Sequence, residues 1–167
     1  ANSVGAYVAG AIPNRKLGNL TKDGEITGLN AFKMLNTETA QVCKAYILMN
    51  LEPEYDTYDP QSALERIKCA EFVISLSSYK GNIMDYADVI LPIAPFTETS
   101  GTFINTEGRV QSFNGVVSPL AETRPAWKIL RVLANLLELE GFDYETSEQV
   151  CAGLLSDYGN VTDHLNN

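Results

Sequence analysis

The chain has 167 residues, of which 45% are hydrophobic and 20% are charged, the composition of a folded globular protein rather than of a disordered one. Its net charge of −9 and pI of about 4.5 predict no nucleic-acid partner, because phosphate backbones are bound by basic surfaces. No apolar run is long enough to cross a membrane, and residues 1–20 lack the pattern of a secretory signal peptide.

The first half of the chain reads as alternating strands and helices. Glycine and proline recur through residues 1–28 and predict an irregular or extended lead-in. Ala45–Met49 is an unbroken apolar run, which predicts a strand covered on both faces. Asp59 followed by Pro60 predicts a helix start, since aspartate can cap and proline suits the first helical position.

Two further buried strands are predicted at residues 72–76 and 87–91. An amphipathic helix should begin near Pro125 and end by Gly141. A second should open at Thr146-x-x-Gln149, where two side chains can satisfy unpaired N–H groups reciprocally. Apolar strands separated by helices predict a three-layer α/β/α fold with a mostly parallel sheet, forming a single domain over residues 1–167.

Neither a metal site nor a catalytic residue is predicted. Cys43, Cys69 and Cys151 lack the spacing of a zinc or cluster site, and Cys69 and Cys151 fall in helical apolar patterns typical of small buried hydrophobes. The one histidine, His164, lies three residues from the end of the sequence, where chains usually fray. The acidic residues between 52 and 59 lack the order of a calcium loop and predict a solvated connection.

The first candidate binding segment, residues 77–82, directly follows the second strand. Ligands in such sheets bind beyond the carboxyl ends of the strands. Here Ser77 and Ser78 offer hydroxyls, and Lys80 offers a positive charge to a phosphate. An ordinary strand-to-helix turn is the alternative, because the segment has no glycine-rich phosphate motif.

The second candidate segment, residues 98–111, contains a predicted type I turn at Asn105-Thr106-Glu107-Gly108. That turn would join residues 102–104 to residues 109–111 as a small β-hairpin, close enough for ion pairing among Glu98, Glu107 and Arg109. Either the turn satisfies its own polar groups and fixes the hairpin, or its side chains reach a phosphate or a base. The candidate binding residues of this segment are Gly101, Thr102, Asn105, Glu107, Gly108, Arg109 and Gln111.

Three stretches of this chain resemble one family. They are ADVILP at residues 87–92, ETSGTFINTEGRVQ at 98–111 and RPAWKILRVLANLL at 124–137. They resemble the molybdopterin oxidoreductase superfamily, most closely the large iron–sulfur subunit of bacterial respiratory NADH–quinone oxidoreductase, complex I. The resemblance implies a piece of a molybdopterin-oxidoreductase-like domain from a longer chain, as does a sequence beginning at Ala1 instead of methionine.

For a complex I subunit, the resemblance implies electron transfer from NADH toward quinone by the parent protein. Iron–sulfur clusters are then expected elsewhere in the parent, with no cofactor in this piece. The piece would be scaffold in contact with other complex I subunits, on the cytoplasmic side of the bacterial inner membrane and peripheral to it. The hairpin turn would be a retained structural device.

Two other functions remain open. In a true molybdopterin-guanine-dinucleotide oxidoreductase, of the formate dehydrogenase or nitrate reductase type, both candidate segments would grip the dinucleotide. A stand-alone α/β module for a nucleotide or a protein partner is the third. In addition, a sheet lacking its neighbours would leave an open edge or an apolar patch, which predicts self-association of the chain as a homodimer.

Overall fold

A computed structural model describes residues 2–13, 30–35 and 43–156. It divides the chain into two compact units. One comprises Leu29–Pro95 and Pro119–Ala126, and the other comprises Ala1–Gly28, Phe96–Ser118 and Trp127–Asn167. In chain order the elements are α1 (Ser3–Val8), α2 (Ala31–Leu35), β1 (Ala45–Met49), α3 (Pro53–Asp56), α4 (Pro60–Lys68), β2 (Phe72–Ser77), β3 (Val89–Pro92), β4 (Gly101–Ile104), β5 (Val110–Phe113), α5 (Ala126–Leu136) and α6 (Ser147–Ser156). The prediction of a single domain over residues 1–167 stays a prediction.

The unit containing Leu29–Pro95 is built on a parallel sheet in the order β1-β2-β3. With the antiparallel pair β4–β5 of the other unit, it confirms the predicted α/β class with a small hairpin. Strand β3 begins later than predicted. The carboxylate of Asp88 accepts a hydrogen bond from the N–H of Val73 at 2.7 Å, which holds Asp88 in the approach to the strand.

One face of this sheet forms the core. Tyr46 and Leu48 of β1 and Val73 of β2 pack with Ala63 and Ile67 of α4. Helix α4 begins as the sequence predicts. The carboxylate of Asp59 accepts from the Ser62 N–H at 3.2 Å and the Ser62 hydroxyl at 2.6 Å, the bonding expected of an N-cap.

The opposite face of the sheet is open in part among the described residues, although Leu76 on that face is buried. Ile47, Met49, Phe72 and Val89 are 55%, 53%, 43% and 37% exposed, and β1 alternates between exposed and buried side chains. The prediction that β1 is covered on both faces is therefore wrong for the part of the chain that the structure describes. An apolar run predicts that both faces suit an interior, but it does not supply the layer that covers them.

The other unit contains the β4–β5 hairpin. The rings of Phe103 and Phe113 pack with centroids 4.7 Å apart. The side chain of Asn2 lies along the outer edge of β4. Its Nδ2 donates to the carbonyl of Thr102 at 3.2 Å, and its Oδ1 accepts from the N–H of Ile104 at 2.8 Å.

Helix α5 ends five residues before Gly141. Leu139 N–H donates to the carbonyl of Ala134 at 3.0 Å and Glu138 N–H to that of Asn135 at 3.0 Å, the paired bonds of a Schellman motif. Glu138 occupies the left-handed position at φ +57°, which is usually a glycine. The prediction that the helix ends by Gly141 is confirmed, although no glycine marks the end itself.

Helix α6 opens close to the predicted pattern. The Thr146 hydroxyl accepts from the Gln149 N–H at 3.2 Å, while Gln149 Oε1 accepts from the Glu145 N–H at 2.7 Å instead of from residue 146. The predicted end near Gly159 and the residue His164 lie outside the described residues.

Ser3–Val8 form a short helix where an irregular lead-in was expected, and residues 14–28 of that lead-in are not described. Cys69 follows the last turn of α4 and is exposed, so its prediction as a buried hydrophobe is wrong. Cys43 and Cys151 are half-buried.

Over the described ranges, no helix has the length and apolarity required to span a bilayer.

Candidate functional site

The carboxyl ends of the parallel strands bring the first candidate segment to one edge of the sheet. Ser77 is the last residue of β2 and is buried. Its Oγ accepts from the Tyr79 N–H at 3.1 Å, so the hydroxyl is engaged in the turn that follows the strand. Lys80 precedes a 3₁₀ turn at Gly81–Asp85. Ser78 is half-buried, and Lys80 is exposed with no ion pair to any described residue.

Two carboxylates that the sequence assigned to a solvated loop lie beside this segment. Asn82 Nδ2 donates to Glu54 Oε1 at 3.1 Å. A Cβ placed on Gly81 would stand 3.5 Å from Glu52 Oε1. The loop prediction also missed α3, where the Asp56 carboxylate accepts from the Glu52 N–H at 2.8 Å. The edge of the sheet therefore carries more acceptors than cations.

Buried oxygens without a hydrogen-bond partner collect near the same edge. Within the described ranges, Glu54 Oε2, the Tyr86 hydroxyl and Ser75 Oγ have no partner. Burial, together with the smaller effects of the negative charges of Glu54, Glu52 and Asp85, raises the pKa of Tyr86 to about 12. Tyr86 thus stays protonated at neutral pH and can donate its proton. Such buried polar groups usually meet a water, an ion or a ligand group.

These oxygens define the chemistry that the edge can perform. Glu54 can accept from N–H groups, as on the edge of a purine base, while Tyr86 can donate or accept. Lys80 can meet a phosphate oxygen. No group of three or more histidine, cysteine or acidic side chains in the described ranges is arranged to hold a metal ion.

The second candidate segment is largely occupied by its own turn. The Gly108 N–H donates to the Asn105 carbonyl at 3.0 Å. Asn105 Oδ1 accepts from the N–H groups of Glu107 at 3.0 Å and Arg109 at 2.9 Å. Gly108 is buried at φ +81°, a conformation that favours glycine. The predicted turn and hairpin are confirmed, but β4 begins one residue earlier, at Gly101, and β5 runs from Val110 to Phe113, so Arg109 precedes it.

The other candidate binding residues of segment 98–111 are of two kinds: some pack within the hairpin, and the others have exposed side chains. Gly101 faces the ring of Phe113, and Thr102 Oγ1 lies 3.1 Å from Ser112 Oγ across the hairpin. Glu107, Arg109 and Gln111 are exposed. The predicted pairing of Glu107 with Arg109 is absent from the ion pairs of the described residues. The free side chains are thus the ones left to meet a ligand.

A cavity of about 250 Å³ lies between the hairpin and α6. Gly101 and Thr102 line it from the hairpin, and Glu148 and Cys151 line it from the helix. Sequence reasoning placed the first two residues in a site but had no signal for the last two, because α6 is distant in sequence. The segment 77–82 belongs to the other compact unit.

Comparison with known proteins identifies relatives. Residues 1–136 match the family described as "Molybdopterin oxidoreductase". A Staphylococcus haemolyticus (strain JCSC1435) protein named "Putative formate dehydrogenase" is 34% identical over 104 residues, covering 60% of this chain and 10% of the relative. Staphylococcus aureus proteins with that name, from strains USA300 and NCTC 8325, are each 38% identical over 84 residues, covering 50% of this chain and 8% of the relative. The chain spans at most a tenth of the length of these curated relatives.

Proposed function

The chain belongs to the molybdopterin oxidoreductase family, and from that premise we propose that it is part of a molybdopterin-guanine-dinucleotide oxidoreductase of the formate dehydrogenase type. The names of the staphylococcal relatives support this assignment over complex I. In this proposal the chain holds the nucleotide portion of the cofactor, and the catalytic residues belong to the rest of the parent protein.

One observation carries the proposal. At the carboxyl edge of the sheet, Glu54 Oε2 and the Tyr86 hydroxyl are buried without partners, and the exposed ammonium of Lys80 lies on the segment that follows β2. A guanine edge presents adjacent N–H donors that a carboxylate can accept, and a phosphate presents oxygens for a lysine. When bound, the molybdenum or tungsten centre supplies the redox chemistry, while these side chains only bind and orient the nucleotide.

The β4–β5 hairpin, taken by itself, carries two groups suited to a nucleotide. Arg109 carries a guanidinium fork suited to phosphate oxygens, and Gln111 carries an amide that can meet a base. Both are exposed, so neither has to leave a buried position to meet a ligand. Ser78, half-buried after β2, can add a hydroxyl on the first segment.

The test uses the intact parent protein. Metal analysis should find molybdenum or tungsten in stoichiometric amount, and acid release should yield a guanine nucleotide. Glu54→Gln and Arg109→Ala should each lower the retained nucleotide about tenfold, because each removes a charge-assisted contact. The control Glu65→Gln changes an exposed α4 carboxylate, bonded to Gln61, and should retain the parent amount. Full retention in both test variants would contradict the proposed contacts.

A scaffold role in complex I is the second candidate function, and the hairpin favours it. Asn105 uses its side-chain carbonyl within the turn, and Gly101 packs against Phe113, which is the arrangement of a self-satisfied structural device. Complex I subunits as partners and a place on the cytoplasmic side of the bacterial inner membrane belong to this candidate. Several iron atoms per parent chain without molybdenum or tungsten would support it and would overturn the first proposal.

A further inference from the structure

A cluster of exposed apolar side chains lies at the carboxyl end of α5. We call it the leucine corner, and it consists of Val132, Leu136, Leu137 and Leu139, which are 46%, 76%, 61% and 52% exposed. Val132 and Leu136 are four residues apart and share one helix face. Single exposed leucines are ordinary on protein surfaces, but a contiguous group of large apolar side chains marks a contact site.

The backbone at the leucine corner is strained. Glu138, between Leu137 and Leu139, has φ +57°. A side chain in this conformation costs about 1 kcal/mol or more relative to glycine. A carboxylate at a helix carboxyl end adds an unfavourable interaction with the helix dipole. The sequence thus keeps a charged residue where glycine would be more stable, directly between two exposed leucines.

Most of the charge around the leucine corner is negative, although Lys128 and Arg131 precede Val132 on α5. From Val132 to Ser156 the sequence has five acidic residues and no lysine, arginine or histidine. All five are exposed, and none forms an ion pair with another residue of the described chain. The acidic residues are Glu138, Glu140, Asp143, Glu145 and Glu148.

The exposed leucines and the neighbouring carboxylates together indicate which kind of partner can bind at the leucine corner. At this surface a second copy of the chain would place the same carboxylates opposite Glu138 and Glu140, so like charges would face each other. Anionic membrane surfaces would be repelled for the same reason. An amphipathic helix with lysine and arginine beside its apolar stripe would bury the leucines and pair with the carboxylates.

We propose that the leucine corner is a docking surface for a basic amphipathic segment of another polypeptide. Leu136 and Leu139 provide the apolar anchors, and Glu138 and Glu140 provide the flanking negative charge. The proposal is independent of the cofactor assignment, since it uses none of the residues at the sheet edge or in the hairpin turn.

The test measures binding of a labelled helical peptide to the full 167-residue chain by fluorescence anisotropy. The probe is a synthetic ~18-residue peptide with leucine on one face and lysine on the other. A scrambled peptide of the same composition controls for charge alone. We expect binding of the amphipathic peptide, little binding of the scrambled one, and weaker binding in high salt.

Variants then locate the contact. Leu136→Lys should weaken binding about tenfold or more, as expected for loss of a central anchor. Val116→Lys, at a side chain that is 83% exposed and outside the leucine corner, is the matched control and should bind like the parent. Glu138→Gly removes one charge while relieving the backbone, so it should bind more weakly although the protein is more stable.

Four results of the binding experiment would overturn the proposal. They are no binding, equal binding of the scrambled peptide, equal loss in Leu136→Lys and Val116→Lys, or unchanged binding in Glu138→Gly. Flotation with anionic phosphatidylserine vesicles provides the remaining comparison. Co-flotation that Leu136→Lys abolishes would assign the leucine corner to a membrane surface instead.

Discussion

Gly101 lies against the ring of Phe113 so closely that a Cβ on residue 101 would stand 2.8 Å from Cζ of that ring. The ring in turn packs on Phe103 of the same hairpin. Gly101, which the sequence predicts to be a binding residue, therefore has a packing role, whether or not a ligand also approaches it.

Gly101→Ala should lower the free energy of unfolding by about 1–3 kcal/mol, the usual cost of overpacking. Phe113→Leu in the same chain should recover part of the loss, because the shorter side chain removes the overlapping ring atoms. Urea denaturation of the single and double variants measures both effects. Equal stabilities of Gly101→Ala and the parent would show that the ring can move aside freely.

The protein should lose stability between about pH 10 and pH 12. Burial raises the pKa of Tyr46 to about 12, as it does that of Tyr86, against about 10 in an unfolded chain. The folded state therefore holds these protons more tightly, so the stabilisation is complete below the unfolded pKa and is lost as pH rises through the folded one.

Tyr86→Phe removes one of the two buried tyrosine hydroxyls and leaves that of Tyr46. It should reduce the alkaline loss, and at neutral pH it should be neutral or stabilising by up to about 1 kcal/mol, since it removes a buried hydroxyl without a partner. Tyr58→Phe, at a side chain that is 95% exposed, should leave the pH profile unchanged. Denaturation series at pH 9 to 12, with tyrosinate absorbance, provide the measurement. An identical profile for Tyr86→Phe and the parent would be the contrary result.

Glu138→Gly should raise the free energy of unfolding by about 1 kcal/mol, because glycine adopts the left-handed conformation without strain. Glu140→Gly is the control, since residue 140 has no positive φ and a glycine there should give no gain. Thermal unfolding compares the two. A loss of stability in Glu138→Gly would mean that its side chain makes a contact worth more than the backbone strain.

The isolated chain should self-associate through the open face of the parallel sheet. Ile47, Met49, Phe72 and Val89 are exposed there, and apolar patches of this kind tend to be covered. Size exclusion with light scattering should detect a dimer, and Ile47→Lys should shift it to monomer. Val116→Lys should leave the dimer intact. A purely monomeric parent chain would contradict the prediction.

The elements of the fold that depend on local sequence were predictable. The helix cap at Asp59 and the turn at Asn105–Gly108 can be predicted from residue type and spacing, and both are present in the structure. The acceptors at the sheet edge were not predictable, because Glu54 and Tyr86 lie 32 positions apart and become neighbours only through the crossover. The exposed side of β1 was missed for a similar reason, since coverage depends on other elements. Sequence reasoning therefore found the lysine of the first segment but not its acidic neighbours.

The bonds from Asn2 to β4 have a consequence for solubility. Thr102 O and Ile104 N–H face away from β5, where an unpaired strand edge could recruit a strand from another molecule. The carboxamide of Asn2 takes both positions, so one side chain closes a site where aggregation could begin. Gly5 makes this closure feasible, because a Cβ there would overlap the Asn2 side chain. Asn2 and Gly5 thus prevent a strand of another molecule from pairing with the outer edge of β4.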